Sequence, residues 1–126
     1  MVQNYQMFEL VEKDDHRGIY IGEADNGPVI VDLHDASKTM AWDEAKEYAH
    51  KEGKRLPSQR ELMLMFAQQE KLNAALEEHE GKAWERGWYW SSSENYGNYA
   101  WIVYAHDGYV YDGGKTNSIY VRCVLA

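Results

Sequence analysis

A chain of 126 residues that is 44% hydrophobic and 27% charged has the composition of one globular domain, able to bury about two-thirds of the surface its unfolded form exposes. Its net charge of −8 excludes a nucleic-acid partner, which would need clustered Lys and Arg to displace phosphate counterions, and no apolar run reaches the length of a membrane helix or signal-peptide core. One cysteine, Cys123, excludes an internal disulfide, and without a targeting segment the expected location is the cytoplasm or a phage virion, whose proteins are made in the reducing cytosol and leave by lysis.

In chain order, Phe8, Leu10 and Val11 begin a short strand that the charged run Glu12-Lys13-Asp14-Asp15-His16-Arg17 ends. Gly18-Ile19-Tyr20-Ile21-Gly22 and Pro28-Val29-Ile30-Val31-Asp32-Leu33 are β-branched runs joined across Ala24-Asp25-Asn26-Gly27. Asn-Gly between such runs predicts a hairpin, because both residues tolerate the positive φ of tight turns. Trp42, Ala45, Tyr48 and Ala49 then share one face of a helix, opposite Asp43, Glu44, Lys46, Glu47 and Lys51, and Gly53 stops it. Lys54-Arg55-Leu56-Pro57 reads as a loop, and Ser58-Gln59-Arg60-Glu61 as a capping box opening a second helix through Leu62, Met65 and Phe66. Leu72, Ala75 and Leu76 mark a third helical stretch, continuous with the second or packed beside it, which Gly81 closes. From Trp84 onward the chain is strand and loop. Strands, then helices, then strands, without βαβ alternation, give an α+β domain over residues 1–126.

The last third differs from the rest. Trp88, Trp90, Trp101 and Tyr120 sit in β-favouring runs and can anchor a sheet. Tyr96, Asn98, Tyr99, Tyr104, His106, Tyr109, Tyr111, Asp112 and Asn117 lie between them, too many polar-tipped groups to bury with every hydroxyl and amide satisfied. Most are therefore expected at the surface. Seven of the ten Tyr fall between positions 89 and 120, and exposed Tyr beside Ser, Gly and Asn offers rigid contact area with adaptable hydrogen bonding. An ordinary antiparallel sheet with one wet face has a similar composition. Charge divides the same way: residues 1–87 carry 18 acidic and 11 basic groups, a balance of −7, and residues 88–126 carry three and two, a balance of −1. The nearly neutral tail, Lys115 included, is thus the candidate contact surface.

Read together, Trp42-Asp43-Glu44-Ala45, Arg55-Leu56-Pro57-Ser58-Gln59-Arg60-Glu61-Leu62, Tyr89-Trp90-Ser91-Ser92-Ser93-Glu94, Ala100-Trp101 and Tyr120-Val121-Arg122-Cys123-Val124 resemble the bacterial and phage C-type-lectin-like domains of the collagen-like-adhesin C-terminal family, from about Gly18 onward. The resemblance implies two main helices against small antiparallel sheets and a loop-rich C-terminal half that presents the binding surface. Such domains often carry Ser or Thr directly before the helix Trp; Ala41 stands there, which makes Thr39 the candidate cap. The C-terminal segment is also similar to the variable region of retroelement-diversified proteins, where adenine-rich codons, mainly for Asn, become Tyr, Asp, Ser, Gly, His, Ile and Thr. Those residues stand at 95–99, 104–112 and 116–119, around the fixed-looking Ala100-Trp101, Gly108 and Val121-Arg122.

The calcium-lectin triplets Glu-Pro-Asn, Gln-Pro-Asp and Trp-Asn-Asp are absent, so no calcium-bridged sugar is implied, while direct stacking of a sugar on Tyr or Trp stays open. Related formylglycine-generating enzymes use two cysteines, which excludes their oxidase chemistry for a chain with one. Asp32-Leu33-His34-Asp35 could begin a metal or acid–base site but has no second ligand cluster, and reads as a solvated turn. His106-Asp107 could transfer a proton, but Asp107-Gly108 is explained by a hairpin turn. Arg122, flanked by apolar residues, is expected to be partly buried against carbonyls or a carboxylate such as Glu94, and Cys123 to be a buried, inert thiol. The expected activity is therefore non-enzymatic, with no cofactor and no metal. Tyr96, Asn98, Tyr99, Tyr104, His106, Tyr109, Tyr111, Asp112, Lys115 and Asn117 would bind a protein or glycan ligand on a target surface. A fixed structural contact in a phage or cell-surface assembly is the alternative, and assembly as a homo-oligomer is left open.

Overall fold

The computed structural model describes residues 5–24 and 27–126, and the Asp25-Asn26 tip of the expected hairpin lies outside them. Eleven elements follow in order: β1 (Leu10–Lys13), β2 (His16–Ala24), β3 (Gly27–Asp32), α1 (Trp42–Lys51), β4 (Lys54–Arg55), α2 (Gln59–Ala67), α3 (Gln69–Glu78), β5 (Trp88–Glu94), β6 (Tyr99–Tyr104), β7 (Val110–Gly114) and β8 (Val124–Leu125). They form a five-stranded sheet of order β1-β2-β3-β8-β4 and a three-stranded sheet of order β5-β6-β7, every pair antiparallel. The architecture is α+β, helices against small antiparallel sheets, as expected.

The charged run near the start does not end a strand; it turns one. Lys13 pairs with His16, and Asp14 and Asp15 both take positive φ (51° and 67°), the conformation a two-residue hairpin turn requires. β2 and β3 then pair from Gly18↔Asp32 to Ala24↔Gly27, which is the hairpin read from the two apolar runs.

α1 starts at Trp42, where the sequence places it, but Thr39 does not cap it. The cap residue is Ala41, without a side-chain hydrogen bond, and the Thr39 hydroxyl instead accepts from Ser118 at 2.8 Å. A main-chain bond compensates, since the Trp42 N–H donates to the Lys115 carbonyl at 2.9 Å, and Asp43 and Glu44 complement the helix dipole in the first turn. Gly53, at φ +71°, follows the helix as its left-handed stop. The capping box of α2 is present in both directions: Ser58 Oγ accepts from the Glu61 N–H, and the Glu61 carboxylate accepts from the Ser58 N–H at 2.8 Å. α3 is a separate helix. Gln68 breaks the run, and its side-chain amide donates to the Ile21 carbonyl at 2.9 Å, which pins the junction to β2.

Two regions read as loop or strand differ. Lys54-Arg55 is a short strand, β4, held by pairing with β8. The run 120–124 is strand only from Val124; before it, Ile119 bridges Met40 and Tyr120 bridges Tyr89 in parallel, so this segment stitches the two sheets together.

Two clusters form most of the core. Ile19, Ile21, Val29 and Val31 of the first sheet meet Leu62, Met65, Leu72 and Leu76 of α2 and α3, with Tyr89 and Val103 of the second sheet on the far side. Met40, Trp42, Ala45 and Ala49 cover Trp90, Ala100 and Ile102, together with Val121 and Cys123. Burying each large aliphatic side chain contributes roughly 1.5–3 kcal/mol before entropy is counted. Cys123 is buried, and that burial pushes its thiol up to about 12, so the thiolate needed for reactivity is suppressed at neutral pH.

Arg122 is fully buried, and its partner is not Glu94. Its Nε donates to Asp35 Oδ1 at 2.5 Å, Nη1 to the Asp32 carbonyl at 3.1 Å and Nη2 to the Lys82 carbonyl at 2.8 Å. Asp35 Oδ2 accepts from the Tyr89 hydroxyl at 2.7 Å, and burial together with the Asp35 charge raises the pKa of that phenol. Asp32 forms an ion pair with Lys54 at 2.7 Å. The Asp32–Asp35 segment is therefore a structural junction and not a solvated turn.

Candidate ligand-binding surface

The three-stranded sheet that carries the predicted residues has two faces, fixed by its register. Trp88↔Tyr104, Trp90↔Ile102 and Ile102↔Tyr111 place Trp88, Trp90, Ile102, Tyr104 and Tyr111 on one face. Tyr89↔Val103, Trp101↔Asp112 and Tyr99↔Gly114 define the other. A register shift between Trp90 and Glu94 re-aims the strand, and the serine run supports it: Ser91 Oγ donates to the Trp101 carbonyl at 2.7 Å and accepts from the Ser93 N–H at 3.0 Å. Ser93 Oγ in turn accepts from the Gln59 N–H at the start of α2. The Tyr-Trp-Ser-Ser stretch is thus a joint between sheet and helix.

Trp88 and Trp90 share a face but not an environment. Trp90 lies under α1, its indole N–H donating to the Met40 carbonyl at 2.8 Å. Trp88 packs against the same cluster but is only half-buried, stacked on Tyr104 at 4.9 Å between centroids and met edge-on by Tyr111 at 6.0 Å. His106 meets Tyr104 at 6.0 Å, and the Arg86 guanidinium donates to His106 Nδ1 at 3.0 Å. These groups make an aromatic ledge at the β6–β7 end of the sheet. Tyr109 projects from the turn there, where Gly108 takes φ +80° and a Cβ would stand 2.5 Å from the Phe66 ring. The turn is the one expected from Asp107-Gly108, with Asp107 Oδ1 accepting from the Tyr109 N–H. Because His106 faces Arg86 while Asp107 holds the turn, the two do not form a proton-transfer pair.

A second group stands at the opposite end. Tyr96 and Tyr99 pack against each other at 5.5 Å, and Tyr99, Asn98, Lys115 and Thr116 line a groove of about 500 Å³ with Ala41 and Asp43. Lys115 is committed: its ammonium bonds Glu94 at 2.9 Å and the Gly97 carbonyl at 2.8 Å, and lies 4.3 Å from the centroid of Trp42. Asn98 and Asn117 are exposed beside it, while Asp112, between the two groups, accepts from Asn95 at 3.0 Å. Of the ten predicted residues, then, Tyr96, Asn98, Tyr99, His106, Tyr109, Tyr111 and Asn117 are exposed. Tyr104, Asp112 and Lys115 are half-buried, the last two hydrogen-bonded within the domain.

Sequence reasoning missed Trp88 and Arg86. Trp88 read as a sheet anchor like Trp90; the register puts both on one face, but Trp90 is fully buried and Trp88 only half-buried, a difference that no local pattern shows. Among the described residues, no three His, Cys, Asp or Glu side chains are grouped to hold a metal ion, and no helix is long and apolar enough to cross a membrane.

No curated protein matches the chain at a significant level. The residues that carried the resemblance do, however, sit where the fold needs them: Trp42 and Trp90 in one core cluster, the Ser58–Glu61 box opening α2, and the serine joint tying α2 to β5. In keeping with this, the model of the Lcl C-terminal domain matches residues 13–125, and the chain belongs to that family.

Proposed function

We propose that residues 1–126 act as one non-enzymatic ligand-binding module, of the adhesin or variable-protein type, whose C-terminal surface engages a protein or glycan on a target surface. One observation carries this reading. Among the described residues, the large hydrophobic side chains left exposed are Met7 and four tyrosines, Tyr96, Tyr99, Tyr109 and Tyr111, all four in the C-terminal third. Water-exposed aromatic area of this kind is what a recognition surface needs, because a tyrosine ring contributes large contact area at low conformational cost. The near-neutral balance of residues 88–126 removes the charge that would repel a partner from the otherwise acidic domain. Groups that chemistry would recruit are already engaged: His106 with Arg86, Asp35 with Arg122, Lys115 with Glu94.

Replacing Tyr96, Tyr99, Tyr109 and Tyr111 together by Ala tests the reading. On arrays of glycans and of surface proteins, specific signals given by the parent domain should fall by at least about thirtyfold, the loss of one hot spot, with the thermal transition little changed. Undiminished signals would place the contact elsewhere. A single persistent protein partner, purified at fixed stoichiometry, would favour the fixed structural contact instead.

The finer reading is that positions 95–99, 104–112 and 116–119 vary by rewriting of adenine codons on a constant scaffold. Its support is positional: Tyr96, Asn98, Tyr99, His106, Tyr109, Tyr111 and Asn117 are exposed, whereas Ala100, Val121 and Arg122 are buried. Deep sequencing of the gene across a natural population should find substitutions at adenine positions in those segments, with Trp101 and Arg122 unchanged. An invariant segment would sink this reading and leave the binding module with one dedicated ligand.

A further inference from the structure

Among the described residues, the second sheet is closed on one side only. β5 is covered along its outer edge, where the Trp90 N–H donates to the Tyr120 carbonyl and the Tyr120 N–H to the Trp88 carbonyl, both at 3.1 Å. β7 ends the sheet on the other side. Its hydrogen-bonding phase follows from the two bonds that bracket it. Tyr104 N–H donates to the Tyr109 carbonyl and Lys115 N–H to the Asn98 carbonyl, each at 2.8 Å. By alternation, Tyr111 and Gly113 turn their main-chain groups toward β6. Val110, Asp112 and Gly114 turn theirs outward. Of these, the Gly114 carbonyl is taken by the Asn117 N–H at 2.9 Å. Among the described residues, Val110 and Asp112 are left presenting both N–H and C=O on this edge, and Gly114 its N–H.

An added strand would continue both faces of the sheet. Its residue opposite Tyr111 would extend the Trp88–Tyr104–Tyr111 ledge, and its residue opposite Asp112 would lie beside a carboxylate whose Oδ2 alone is held by Asn95. Asp112 is the charged side chain of β7, so a strand that sets a carboxylate opposite it, as β7 of a second copy can, is disfavoured and one that sets a cation there is favoured. We propose that the open edge of β7 receives an extended, basic segment of a partner protein, which joins the C-terminal sheet as an additional strand with alternating aromatic or β-branched and Lys or Arg side chains. This rests on the C-terminal surface being the contact surface, and it names the partner's chemistry and the direction of approach.

The probe is a synthetic library of capped heptapeptides in which Lys or Arg alternates with Val, Ile, Thr or Tyr, applied to the full chain. Peptides retained by the domain should slow hydrogen exchange at the Val110, Asp112 and Gly114 amides by about tenfold or more, since those N–H groups become bonded. The same peptides N-methylated at alternate positions should lose binding in one of the two phases. Asp112→Pro removes an outward N–H without breaking the ladder to β6, and should abolish retention. Asp112→Asn keeps the N–H and should weaken retention without abolishing it, because it removes only the carboxylate that faces the cationic side chains. Failure of the library to bind, or equal retention by Asp112→Pro, would overturn the proposal. Slowed exchange that rises with protein concentration alone would do so as well, assigning the edge to a second copy. Loss of binding in the four-tyrosine variant with no effect of Asp112→Pro would leave the contact surface standing and remove the edge from it.

Discussion

Replacing Arg122 by Ala is expected to remove about 3–5 kcal/mol of folding stability, the usual cost of breaking a buried ion pair from one side. The guanidinium is wholly buried and satisfies the Asp35 carboxylate and the carbonyls of Asp32 and Lys82. Without it, a carboxylate and two carbonyls face a cavity from which water was excluded, and the Tyr89 hydroxyl donates to an acceptor that has lost its countercharge. Domains of this kind are stable by about 5–15 kcal/mol, so the loss is a large share of the whole. Urea unfolding checks it: the midpoint should fall with the slope unchanged. Asp35→Ala should cost nearly as much, and the double variant less than the sum of the two, because each single change strands the other's charge. Additive losses would show that Arg122 acts mainly through its carbonyl contacts.

The second large effect is expected at Glu61. Its carboxylate is buried, and Arg55 grips both oxygens at 2.7 Å while the Ser58 N–H reaches Oε1 at 2.8 Å. Glu61→Ala should cost about 3 kcal/mol, the lower end for a broken pair because Arg55 keeps some access to water. Burial by itself would raise the Glu61 pKa, but the Arg55 fork and the Ser58 amide outweigh it and hold the carboxyl below its ordinary value. The folded pKa is the depressed one, so this group's contribution is present above the unfolded value of about 4.3 and is lost as pH falls through the folded value. Urea midpoints measured from neutral pH into that acid window should fall for the parent protein and stay flatter for Glu61→Gln. Parallel curves would mean that other carboxylates govern the acid limb.

Glu61 and Arg122 also mark what the sequence could disclose. The capping box is a signal over four residues, so Ser58 and Glu61 could be read without the fold, as could Gly53 and the strands of the β2–β3 hairpin. The fork from Arg55 was hidden because Lys54-Arg55 looked like loop, and its strand exists only through β8. Arg122 was rightly expected to be structural, but its partner lies 87 residues away at Asp35, and no local pattern selects Asp35 over Glu94. At the surface, polar-tipped aromatics were rightly expected outside. What local sequence does not carry is how completely distant elements cover each of two same-face aromatics, so that Trp90 is core while Trp88 is half-buried on a ledge. The outward phase of β7 is likewise a property of register and not of composition.

The stitching of both sheets by residues 119–125 has a kinetic consequence. Val124 pairs with Val31 and Arg55, Tyr120 with Tyr89, Ile119 with Met40, and Arg122 closes on Asp35. The five-stranded sheet lacks β8, the outer edge of β5 is uncovered, and the Asp35 carboxylate has no guanidinium, until this late segment docks across almost the whole length of the chain. Contacts of such long sequence separation place folding on the slow side for a domain of this size, because loop closure precedes any gain from pairing. While the segment is absent, as during synthesis, β3 and β4 lack the strand that lies between them, and it is then that the chain is open to mispairing and to chaperones.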